Sequence, residues 1–243
     1  MQVTKQVSKE IQWQSLAIVI ALTVAYFGLL QLTEPASGRI FAAIPPPRGA
    51  PDIWWNALQR LVPIGLCDLI AALLPLWLYL AWRRRAWRDL GFSKAGTALA
   101  WILVLAVQAA ICWFQLRNPY GPLAHVKNPL NPYALAGAAF AGIAASLAEE
   151  TFFRGFIMDE LMRGGFSTAW QIVVSMLLFG SVHLSFASLD WTVPVLTGLL
   201  GGFWSVIYIL GRRSLWPSIV AHCINDALLV PSFFYFMVSH GLR

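Results

Sequence analysis

Apolar residues run through this chain in long stretches, and the polar positions fall mostly between them. Seven apolar segments stand out, at about residues 15–33, 61–82, 97–115, 133–163, 168–187, 191–210 and 216–239. A helix needs about 20 predominantly apolar residues to cross a hydrocarbon core, and segments of this length and hydrophobicity predict helices and not a barrel. The expectation is an all-α polytopic membrane bundle of about seven (seven to eight) transmembrane helices. The punctuation supports it. Pro45-Pro46-Pro47 and the pair Trp54-Trp55 lie between the first two segments, the aromatic pair suiting a headgroup interface. Arg83-Arg84-Arg85-Ala-Trp87-Arg88 follows the second segment, and Gly211-Arg212-Arg213 separates the last two.

Composition agrees with the pattern. The 243 residues are 58% hydrophobic and 12% charged, with a mean hydropathy of +0.66, whereas a soluble domain carries about 25% charged residues. The net charge of +6 then reads as loop charge that sets topology, and nucleic-acid binding is excluded. With the N-terminus inside, eleven of the seventeen basic residues fall on the inner side, the arginine run among them. This predicts a multi-pass protein of a bacterial cytoplasmic membrane with a cytoplasmic N-terminus. The first segment follows Lys5 and Lys9 but is longer than a signal-peptide core and has no small-residue cleavage site after it, so it reads as an anchor. Cys67, Cys112 and Cys223 lie within apolar runs and form neither a disulfide framework nor a zinc knuckle.

The fourth segment carries the unusual chemistry. An uncharged run, Tyr133 to Ala148, leads straight into Glu149-Glu150-Thr-Phe-Phe-Arg154. Ionisable groups at bilayer depth cost several kcal/mol and mark functional sites by default. Glu150 and Arg154 share a helix face and form an ion pair. Glu149, rotated about 100° away, has no local partner. No proline interrupts Tyr133–Met162, so one helix is expected to continue through the acids. Its small residues form two rows, Gly137-Ala141-Ala145 and Ala138-Gly142-Ser146, that admit close neighbours.

Folding the chain back at Gly164-Gly165 sets Glu149 and His183 at about the same depth, roughly 22–28 Å from the turn at 1.5 Å per residue. His222 and Asp226 lie on one face, roughly 15–21 Å beyond Gly211-Arg212-Arg213. Three helices thus carry Glu149, His183, His222 and Asp226 to similar levels. Burial strengthens a carboxylate as a base, which is what a general base for water needs. An imidazole at the same level could hold the water or donate to the leaving group, and a second one beside an acid or amide could stabilise an oxyanion. The inventory suits hydrolysis of an acyl bond in the membrane, by a carboxylate or by a divalent metal held on histidine and carboxylate. Ser175, Ser181 and Ser185 lack a nucleophile elbow. A rival of another class is a proton- or ion-coupled transporter, but the halves show no internal repeat.

These residues resemble the motifs of the CPBP intramembrane proteases (CAAX proteases and bacteriocin-processing enzymes, the Abi family). Glu149-Glu150-Thr-Phe-Phe-Arg154 matches EExxxR, Phe179-Gly-Ser-Val-His183 matches FxxxH, and His222-Cys-Ile-Asn225-Asp226 matches HxxxN or HxxxD. Asp226 stands where an amide is commoner. The resemblance covers about residues 133–240, the last four segments, and implies a catalytic core at 133–243; residues 1–132, about three helices, look like the family's variable N-terminal part. It implies an endopeptidase that cuts membrane-associated proteins or peptides: CAAX-type, signal- or sorting-peptide, or bacteriocin processing. Some relatives confer bacteriocin immunity instead. By the resemblance, Glu149 and His183 activate water, His222 with Asp226 or Asn225 forms the oxyanion side, and Glu150 with Arg154 braces the helix. No cofactor is expected; the alternative is zinc on Glu149, His183 and His222.

Overall fold

The computed structural model describes residues 8–48, 52–119, 124, 126–127, 130–184 and 191–240. All the regular structure within them is helical: α1 (Lys9–Ala42), α2 (Asp52–Trp82), a 3-10 turn (Trp87–Leu90), α3 (Ala98–Arg117), α4 (Pro132–Glu149), a π-helical stretch (Glu150–Ile157), α5 (Met158–Arg163), α6 (Thr168–Val182), α7 (Thr192–Leu210) and α8 (Trp216–Ser239). Among the described residues five helices are long and apolar enough to cross a membrane: α1, α3 and α7 whole, Ile53–Trp82 of α2 and Trp216–Phe236 of α8. The 15-residue α6 is apolar but shorter. The protein is a multi-pass membrane helix bundle. Its outer face is apolar, with Leu32, Trp113, Leu177 and Leu196 among the exposed side chains, as lipid contact requires.

Three expectations need correction. The first two helices run well past their apolar segments: α1 continues through Pro35, and α2 begins at Asp52 and contains Pro63 and Pro75. Neighbouring helices and hydroxyl side chains re-satisfy the backbone groups that proline frees in such helices. Trp54 and Trp55 therefore belong to α2. Trp54 is buried with its ring 4.6 Å from Tyr235, and its Nε1 donates to the carbonyl of Lys127. The fourth segment is one helical run, but not one α-helix, because the π-helical stretch starts at Glu150.

α4 lies at the centre, packed against α2 and α8. A Cβ on Gly142 would fall 2.5 Å from the carbonyl oxygen of Cys223, so α4 and α8 meet backbone to backbone, as the small-residue rows predict. Gly142→Ala is expected to force the pair apart and cost about 1–3 kcal/mol. Thermal unfolding in detergent measures the loss. α6 and α7 cross equally closely through Gly180 and Gly198, where an added Cβ on Gly180 would lie 3.2 Å from the Gly198 Cα.

The arginine loop, the α5–α6 turn and the α7–α8 turn gather at one end of the bundle. Arg85 pairs with Asp159, to which Arg163 Nε also donates at 2.8 Å. Glu160 accepts from Tyr79 Oη and, at 3.3 Å, from Ser15 Oγ. Leu215 N donates to the carbonyl of Gly91, whose φ of 115° suits glycine alone. These bonds tie α1, α2, α5 and the inter-helix turns together and fix the depth of the acids above them.

Candidate active site

The eight residues of the π-helical stretch are all buried. π-turns widen a helix by i→i+5 bonding and collect at functional sites. Here the turn fits three phenylalanines, Phe152, Phe153 and Phe156, into the main core without displacing the acids. Ser175 Oγ donates to the carbonyl of Phe153 at 3.2 Å, which assigns Ser175 a backbone-bracing role. Ser181 likewise donates to the carbonyl of Leu178 at 2.7 Å, and Ser185 lies outside the described residues.

The two adjacent acids have different surroundings. Glu150 and Arg154 are fully buried; Arg154 Nη1 donates to Glu150 Oε1 at 3.1 Å, and its Nη2 donates to the carbonyl of Gly201 on α7 at 2.7 Å. Gly201 must be small, since a Cβ there would meet the Phe179 ring at 2.6 Å and Arg154 Nη2 at 3.1 Å. Glu149 is only 8% exposed, yet its Oε2 has no hydrogen-bond partner among the described residues.

His222 of α8 joins the two acids. Its Nδ1 donates to Glu150 Oε1 at 2.9 Å, and this holds Nε2 on the opposite side, 3.3 Å from Asp226 Oδ2 and 3.8 Å from Glu149 Oε2. A polar gap of the last size suits a bridging water or a substrate oxygen. Asn225 Nδ2 donates to Asp226 Oδ1 at 3.3 Å. The Asp226 position is thus turned to His222, with Asn225 behind it.

Phe179 and His183 show why an aromatic residue four before a histidine serves this site. The Arg154 guanidinium sits 4.5 Å over the Phe179 ring, and the same ring lies 6.0 Å from His222. The Phe179 carbonyl accepts from His183 Nδ1 at 3.0 Å. In the neutral ring that bond places the proton on Nδ1 and the lone pair on Nε2. His183 caps α6 and lies within electrostatic reach of Asp226 and His222.

Glu149, Glu150, Arg154, His222 and Asp226 are therefore in one contact set, with Asn225 against Asp226 and His183 joined through Phe179. Among the described residues no three His, Cys, Asp or Glu side chains are grouped to hold a metal ion. His222 Nδ1 is engaged by Glu150, so a metal ion would be met by Nε2, the ring nitrogen that faces Glu149 and Asp226. Two polar residues of the N-terminal half also border the acids. Asp68 of α2 and Tyr26 of α1 interact electrostatically with Glu149. Asp68 carried the same signal as Glu149, an acid inside an apolar run.

Comparison with known proteins gives one finding. Residues 131–228 match the family of type II CAAX prenyl endopeptidase Rce1-like proteins, and this span contains all three motifs. No curated protein and no solved structure matches the chain.

Proposed function

We propose, from the family that residues 131–228 match and from the site's geometry, that this membrane protein is an intramembrane endopeptidase of the CAAX-processing type in which Glu149 activates water. One observation carries the assignment of roles: of two adjacent buried acids, Glu150 is held through Oε1 by Arg154 and His222, while Glu149 has neither bond and turns its unpartnered Oε2 toward His222 Nε2. A carboxylate placed so accepts a proton from water as the water oxygen attacks the scissile carbonyl carbon. The Nε2 lone pair of His183 accepts the water's second hydrogen and fixes its direction. His222 donates from Nε2 to the developing oxyanion, held from behind by Glu150. Glu149 then passes its proton to the leaving nitrogen as the C–N bond breaks.

The substrate in this reading is the C-terminal region of a membrane-associated protein or peptide, with a lipidated CAAX end the first choice. The protein sits in a bacterial cytoplasmic membrane with its arginine loop on the inner side. Reconstituted protein should cut a farnesylated CAAX peptide faster than the same peptide without the lipid. Equal rates would move the reading to signal- or bacteriocin-type peptides. No metal takes part, so cleavage is expected to survive EDTA and phenanthroline unchanged. A loss that zinc restores would return the metal mechanism.

A further inference from the structure

Asp68 lies within the apolar stretch Ile53–Trp82, only 8% exposed. An acid at such a place costs several kcal/mol and needs partners. Tyr26 Oη, fully buried, donates to Asp68 Oδ1. The Tyr26 ring is itself fixed, 4.9 Å from Phe152 and 6.1 Å from Phe153, in the turn that follows Glu149.

The register of α2 against α4 sets the level. Gly137 packs on Leu58 and Leu61, and a Cβ on Gly65 would meet the Phe140 ring at 2.6 Å and Ala144 at 3.4 Å. The two helices run parallel, so Asp68, three residues beyond Gly65, comes within about one turn of Glu149. Tyr26, against Phe152 and bonded to Asp68, lies at the same level. The Glu149 carboxyl, whose Oε2 has no hydrogen-bond partner among the described residues, interacts electrostatically with both Asp68 and Tyr26.

We infer that Asp68, anchored by Tyr26, is a positioning residue for Glu149. The Asp68 carboxylate, fixed by the Tyr26 phenol, acts electrostatically on the Glu149 carboxyl from the α2 side. Glu149 is therefore pressed away from α2 and toward His222 on α8, the direction in which water and the scissile carbonyl must meet it. The first two helices then take part in the chemistry through Glu149, beyond anchoring the core. This inference rests on Glu149 being the base.

The test uses full-length protein in lipid vesicles with a farnesylated CAAX peptide, and compares wild type, Glu149→Gln, Asp68→Asn, Tyr26→Phe and the double variant Asp68→Asn/Tyr26→Phe. Asp68→Asn should lower kcat on the order of 10²-fold, the scale of a misplaced reacting group, with KM near wild type. Tyr26→Phe, which keeps the ring packing, should lower kcat in the same direction, and the double variant should be no worse than Asp68→Asn alone. Adding Asp68→Asn to Glu149→Gln should change the residual rate no further. If Asp68→Asn fails to fold, Tyr26→Phe carries the test alone. Wild-type kcat in Asp68→Asn and Tyr26→Phe beside an inactive Glu149→Gln overturns the inference and leaves the protease reading standing. Losses that add across the two sites and follow thermal stability also overturn it, since they report packing. A wild type that does not cut, or cuts no faster than Glu149→Gln, overturns both.

Discussion

Glu149→Gln is expected to abolish peptide cleavage while leaving the protein folded. Removing a general base costs about 10²–10⁴-fold in rate, and no other carboxylate in the site stands ready to replace it. Glu150 is engaged by Arg154 and His222, and Asp226 faces His222. The fold should not suffer, because Glu149 Oε2 gives up no hydrogen bond among the described residues. Burying an amide is also easier than burying an unpaired charge. The variant should therefore unfold at or above the wild-type temperature in detergent, and its kcat/KM on a peptide substrate should fall to background. Function and stability then move apart, which marks a site residue and not a packing one.

Arg154→Met should do the reverse and damage the fold first. Arg154 is fully buried, bonded to Glu150 and to the Gly201 carbonyl, with Phe179 against its guanidinium. Removing one member of a buried pair leaves the other charge uncompensated and typically costs about 3–5 kcal/mol. Thermal denaturation in detergent should show a large drop, and activity should fall because His222 loses the alignment that Glu150 gives it. Replacing both partners, as in Glu150→Leu/Arg154→Met, should recover much of the stability, since an apolar pair replaces an ion pair at little cost. Activity should not return with it. A single Arg154→Met variant as stable as wild type would mean that the ion pair does not brace the helix.

Much of this arrangement was legible in the sequence. An acid pair with an arginine four residues on, after an uncharged run of small residues, located the central helix, and Gly142 meets α8 as that run implied. The spacing of His222 to Asp226 placed the two on one helix face, and they are in contact in the fold. The π-helical stretch was not legible. Eight residues with phenylalanines at 152, 153 and 156 satisfy an α-period as well as a wider turn, and only packing against α1, α2 and α6 decides between them. The late end of α1 and the early start of α2 were hidden by Pro35, Pro63 and the Pro45–Pro47 cluster, which read as breaks when tertiary partners are unknown. Asp68 was missed for another reason. Its partner Tyr26 is 42 residues away on another helix, so no local spacing links the two, and the signal was only an acid in an apolar run.

The most direct test of Glu149 as the base of a protease compares cells carrying the wild-type protein, Glu149→Ala or His183→Ala at equal expression. Terminal-selective mass spectrometry of membrane and secreted fractions reads the peptide ends in each. New ends present only with the wild type, and missing from both variants, are the predicted result and name the substrate. Identical ends in all three would contradict the account.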